Sequence, residues 1–139
     1  MYRIFIWLFG RSIYQQMFTI IQNKYPNDNL AKQVVPILPN KLGSLFLRIA
    51  KFFSGTPSNY SITVTLGKVI LSEPIHSYYI SRIACHEFTH VKQMQQYGLI
   101  HWFLIYLVDY IDNLVRYKDR KKAYFNIPFE IAARSHEND

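Results

Sequence analysis

Ala84-Cys85-His86-Glu87-Phe88-Thr89-His90-Val91 is the stretch that decides how this sequence reads. It contains His-Glu-x-x-His, and at helical spacing its two imidazoles fall one turn apart on one face. Two histidines so placed chelate one ion without bending the backbone. Zinc takes nitrogen and oxygen ligands in tetrahedral geometry, and a catalytic zinc keeps one position for water. Glu87, beside the first histidine, is placed to take a proton from that water. His86 and His90 are therefore the expected Zn2+ ligands, with Glu87 as the catalytic base.

The surrounding pattern supports a helix. At about 100° per residue, Ile80, Ile83, Ala84, Phe88, Val91 and Met94 share one apolar arc. Arg82, Thr89, Gln93 and Gln96 lie opposite, and the histidines fall at the boundary, where a cleft opens. Glu87 points into the apolar arc, and a bare carboxylate there is costly unless a charge meets it. A plain amphipathic helix would leave Glu87 unexplained.

On the N-terminal side, Tyr60, Ile62, Val64 and Leu66 alternate with Ser61, Thr63 and Thr65, the period of a half-buried strand. Gly67 and Lys68 make a tight turn and Val69, Ile70 and Leu71 return, so a β-hairpin precedes the central helix. Ser72 and Pro74 suit that helix's start, which falls as late as Tyr78 on the same pattern. Residues 2–22 read as one helix packed on the core, with weak membrane contact by its apolar run as an alternative. Residues 23–43 carry Pro26, Pro36 and Pro39 and read mostly as connection. A short helix is expected over residues 45–53, followed by a break at Gly55 and Pro57.

On the C-terminal side, Gly98 suits the end of the central helix. Residues 101–117 read as a further helix, and the seven apolar residues from 102 to 108 are too few to span a membrane. Residues 116–122 hold five basic side chains and one acid, the pattern of a solvated helix end or of a polyanion contact. Asn126 as cap and Pro128 in the first turn open a last short helix.

The chain's 139 residues make one domain, 1–139, large enough for a core without disulfides. Half the residues are hydrophobic, which excludes a disordered chain. Cys85 is the only cysteine, so no internal disulfide exists and a reducing, cytoplasmic setting is expected. The net charge of +7 suits nucleic acid or anionic lipid, and equally plain solubility.

A third protein ligand is needed. The candidates are Glu130, Asp109, Asp112, His101, His136 and Glu137. Glu130 leads them, because a lone carboxylate in the small, apolar turn of the last helix has little structural purpose. Asp109 and Asp112 also serve as polar breaks of an amphipathic helix, and His101 as a helix-end group.

The segments Thr65-Leu66-Gly67-Lys68-Val69-Ile70, His86-Glu87-Phe88-Thr89-His90-Val91-Lys92-Gln93 and Asn126-Ile127-Pro128-Phe129-Glu130-Ile131-Ala132-Ala133-Arg134 resemble the small gluzincin metallopeptidases, or minigluzincins. The resemblance covers residues 60–136 and leaves a helical N-terminal region, residues 1–55, outside it. It implies a zincin-like α+β fold, mostly helical, with a small β-sheet beside the His-Glu-x-x-His helix and a C-terminal glutamate helix. It also implies Glu130 as third ligand to His86 and His90, with Glu87 as general base. Gln93 and Gln96 stand where metzincins place Gly and His, so that arrangement is excluded. Related sequences often carry a second acid at the position of Ala132. Thermolysin-type enzymes place an acid where this chain has Arg134, so another group must orient the first histidine. Some small gluzincins are latent, with a terminal segment in the cleft.

The expected activity is zinc-dependent hydrolysis of a peptide or protein substrate. An extended substrate would pair with the strand ending at Leu66 or with the returning strand. Tyr124, Arg134 and His136 are candidate oxyanion donors. Two other classes fit the sequence: a zincin-fold scaffold without turnover, and a basic, nucleic-acid-associated metalloprotein. The second rests on seven Lys or Arg against one acid in residues 1–53.

Overall fold

A computed structural model describes residues 2–139. The chain runs α1 (Tyr2–Phe9), β1 (Gly10–Ile13), α2 (Gln15–Lys24), a 3-10 turn (Ala31–Gln33), β2 (Val35–Pro39), α3 (Lys41–Ser54), β3 (Thr63–Leu66), β4 (Val69–Ser72), α4 (Ser77–Tyr97), α5 (Leu99–Tyr117), α6 (Arg120–Phe125) and α7 (Pro128–Ser135). The fold is α+β and mostly helical, with one small sheet.

The sheet has the order β1-β2-β4-β3. β2 runs parallel to β4, while β1 and β3 pair antiparallel to their neighbours. β4 is buried along its whole length because helices cover both faces of the sheet. On one side Ile70 packs with Met17 and Ile21 of α2 and Ala84, Phe88 and Val91 of α4. On the other, Val69 and Leu71 meet Leu47 of α3 and Phe5 and Phe9 of α1. A third cluster, Tyr110, Ala123 and Ile127, joins α5, α6 and α7.

The hairpin falls where alternation placed it, although its first strand begins at Thr63 rather than Tyr60, but the N-terminal third does not. Residues 2–22 are not one helix: β1 separates α1 from α2. Gly10 makes the break, since a Cβ there would lie 2.8 Å from Ile37 Cδ1 and 2.9 Å from the Ile6 carbonyl oxygen. Residues 23–43 are not merely connection either. They supply β2, whose Ile37 pairs with Leu71 despite Pro36 and Pro39. The supposedly helical first 55 residues thus provide two of the four strands. Asn40 locks this region together, donating through Nδ2 to the Leu8 carbonyl at 2.8 Å and accepting the Gly43 N–H at 2.8 Å. It caps α3, which begins at Lys41 rather than residue 45.

α4 begins at Ser77, with the His76 side chain accepting the Tyr78 N–H. Gly98 ends it at φ 81°, and α5 starts at the next residue, bent 112° from α4. No single helix among the described residues is long and apolar enough to cross a membrane. Arg116 and Tyr117 end α5 as a helix end was expected to, but the rest of residues 116–122 does not continue it. Lys118 turns at φ 53° and Asp119 caps α6. Asn126 closes α6 and the cap of α7 is Ile127, with Pro128 in the first turn as expected.

Candidate metal centre

α4 and α7 pack against each other, and their contact brings three side chains together. His86, His90 and Glu130 each offer a ligand atom, and these atoms lie within 4.8 Å of one another in a buried cluster. Glu130 Oε2 is 2.9 Å from His86 Nε2, and Glu130 Oε1 is 3.3 Å from His90 Nε2. The imidazole centroids are 4.9 Å apart. Two nitrogens and one carboxylate oxygen form a donor set able to hold a metal ion.

Each donor is held from behind. His86 Nδ1 lies 2.9 Å from Glu137 Oε1, while the other oxygen of Glu137 accepts from Arg82 at 3.0 Å. Glu137, a candidate ligand by sequence, is therefore not in the cluster; it orients His86, the task Arg134 cannot perform. His90 Nδ1 lies 2.9 Å from Gln93 Oε1. Gln93 accepts from Trp102 Nε1 at 3.2 Å and donates to the Phe129 carbonyl at 3.1 Å, linking α4, α5 and α7. Tyr106 donates its hydroxyl to Glu130 Oε1 at 2.8 Å, and burial together with the charge of the same carboxylate raises the proton affinity of Tyr124. Such partners fix the ring nitrogen presented to a metal.

Glu87 is buried beside the cluster, as its place in the apolar arc required. Its Oε2 accepts the Thr65 hydroxyl of β3 at 2.6 Å. Burial raises its proton affinity, and the nearby histidines and Thr65 only partly offset this. Burial opposes charge on His86, yet its hydrogen bond to the Glu130 carboxylate and the charge of Glu87 prevail, and its pKa is raised to about 9. His90 moves up similarly, burial being outweighed by Glu130. Glu130 itself stays ionised well below the usual range, because the histidines overcome its burial.

The other candidates lie elsewhere. Asp112 pairs with Arg116 at 3.6 Å, His136 with Asp139 at 2.7 Å, and the His101 ring rests against Tyr97. Asp109 is not among the grouped ligand atoms. Of the three oxyanion candidates, only Tyr124 reaches the cluster. Arg134 stacks on the Phe125 ring and bonds its carbonyl, and His136 is on the exposed final turn. Cys85 is a free, buried cysteine on α4. Sequence reasoning assigned no role to Thr65, Gln93, Trp102 or Tyr106. Only Gln93 carried a usable signal, lying three residues after His90 on the same helical face.

Comparison with protein-family models, with curated proteins and with solved structures returned no match.

Proposed function

We propose that this chain is a zinc metallopeptidase of gluzincin type. The observation that carries the reading is the buried convergence of His86, His90 and Glu130, with Glu87 hydrogen-bonded to the neighbouring strand. A purely structural cluster gives no account of a second buried carboxylate whose proton affinity is raised. The donor set fits zinc, with His86, His90 and Glu130 holding it. When bound, zinc supplies Lewis acidity that polarises a carbonyl and makes water acidic near neutral pH.

Glu87 takes the proton of the attacking water and delivers it to the leaving amine. Its raised proton affinity suits a group that must both accept and return a proton. Thr65 fixes the orientation of its carboxylate. β3 is an edge strand and offers its free side to an extended substrate. β4 lies between β2 and β3, so the returning strand is unavailable for that role. Glu137 supports His86 through Nδ1 and leaves Nε2 directed at Glu130.

The test is cleavage of a mixed peptide library by wild type and by Glu87→Gln at equal zinc occupancy. General-base contributions of about 10²–10⁴-fold set the expected loss of rate. Equal cleavage by both proteins rejects Glu87 as the base. No cleavage by either, including after trimming of each terminus, leaves a metal-binding scaffold.

A further inference from the structure

α5 has its polarity reversed for a helix on a protein surface. Toward the core it turns Trp102, Tyr106, Tyr110 and Asn113, all engaged in hydrogen bonds. Away from the core it turns Ile100, Leu104, Leu107, Val108, Ile111 and Val115, each between 40% and 76% exposed. With Phe103, also exposed, these side chains occupy an arc of roughly 140° at helical spacing. α3 extends the surface. Its exposed Phe53 packs edge-on against Tyr110, 6.3 Å between centroids, and its exposed Phe52 lies under Arg120 at 4.1 Å.

A cationic segment adjoins this apolar face. Arg116, Lys118, Arg120, Lys121 and Lys122 are all exposed, and the one acid among them, Asp119, is engaged as the cap of α6. Arg48 and Arg120 line a groove of about 840 Å³ that runs along Phe52. The charge of the whole chain is +7.

We propose that this face docks the chain peripherally on an anionic lipid bilayer, with the outward side chains of α5 and Phe52 and Phe53 of α3 in the interface and residues 116–122 on the headgroup phosphates. The inference is independent of the metallopeptidase reading. Two observations choose lipid over a second copy of the chain. The arc is broader than the narrow seam of a helix pair. The cations beside the face would also be brought together in a symmetric dimer, whereas anionic headgroups complement them. Lying in the interface also fits the fold: no single helix among the described residues is long and apolar enough to cross a bilayer, and α4 is packed in the core.

The experiment is co-sedimentation of the full chain with vesicles of phosphatidylcholine containing roughly 30% phosphatidylserine, and with phosphatidylcholine alone. Binding should be at least about tenfold tighter on the anionic vesicles and should weaken with added salt. Leu104→Asp with Ile111→Asp should lower affinity at least about tenfold, with melting temperature and metal content unchanged because both side chains are exposed. Lys121→Glu with Lys122→Glu should lower it by a similar factor. The proposal is overturned if wild type stays in the supernatant at low salt, or if either double variant binds as well as wild type. A dimer in sedimentation equilibrium that Leu104→Asp with Ile111→Asp dissociates, without vesicle binding, overturns it in favour of self-association. Binding to duplex DNA that the lysine variants abolish and the α5 variants leave intact, again without vesicle binding, overturns it in favour of nucleic acid.

Discussion

Glu137→Ala should weaken metal binding about 10–100-fold although Glu137 is not a ligand in the proposed site. Glu137 Oε1 lies 2.9 Å from His86 Nδ1, and both side chains are largely shielded, at 20% and 12% exposure. A hydrogen bond to a charged partner is worth about 1.5–3 kcal/mol. At about 1.4 kcal/mol per factor of ten, that corresponds to the stated range. The other contact of Glu137 is to Arg82, whose side chain is 53% exposed, so that ion pair is worth at most about 1 kcal/mol. Arg82→Ala should therefore cost no more than about fivefold. The assay is competition for zinc against a chromophoric chelator at fixed pH, with melting of the metal-free proteins as a control for folding. A Kd for Glu137→Ala within about twofold of wild type would refute the orienting role. So would an Arg82→Ala variant that loses as much.

Glu130→Ala should weaken zinc binding by more than the about 10–100-fold of an outer partner, while Asp109→Ala and Asp112→Ala leave metal content unchanged; the reverse pattern in metal analysis would remove Glu130 from the site. Thr65→Val deletes the 2.6 Å bond to Glu87. It should cost about 1–3 kcal/mol in thermal or denaturant unfolding and move the acid limb of any peptidase pH profile upward, since Thr65 holds the Glu87 proton affinity down; an unmoved limb would show that Glu87 does not set it. His86 and Glu130 together set a window of highest stability for the metal-free protein between about pH 4.5 and 6.5, and the raised proton affinity of Glu87 favours its acid end. His86, raised from 6.5 to about 9, contributes stability that is complete below 6.5 and lost as pH climbs through about 9. Glu130, depressed from 4.5, contributes stability that is complete above that value and lost on acidification. Because zinc needs unprotonated histidines, the rise in Tm on adding zinc should grow with pH across the same upper range; a rise that shrinks toward pH 9 would contradict this.

The parts legible in the sequence were those fixed by local period. Helical spacing placed Glu87 in the buried arc of α4, and alternation found the hairpin on either side of Gly67. Gly98 and Pro128 marked true boundaries because positive φ and a missing N–H act within a residue or two. What failed depended on distant partners. β2 contains Pro36 and Pro39 and reads as connection until β4 is beside it. β1 has no hydrophobic period, and Gly10 matters because Ile37, as well as the Ile6 carbonyl, lies against it. In the site, Glu130 stood out as an isolated carboxylate, but Glu137 differed from it only through a ring 51 positions away. Tyr106 and Trp102 looked like core aromatics of α5, and their hydroxyl and indole N–H gave no sign of the groups they serve.

The separation of the donors along the chain also sets an order of arrival during synthesis. His90 and Glu130 are 40 positions apart, which at roughly 5–20 residues per second is about 2–8 s of translation. Through that interval α4 can present both imidazoles while α7, with the carboxylate that joins them, has yet to be made. In the proposed site, metal captured then would be held by two nitrogens alone and would exchange readily with its surroundings. Secure retention there would begin only when α7 packs against α4, and a nascent chain stalled before residue 130 should remain open to chelators that the finished protein resists.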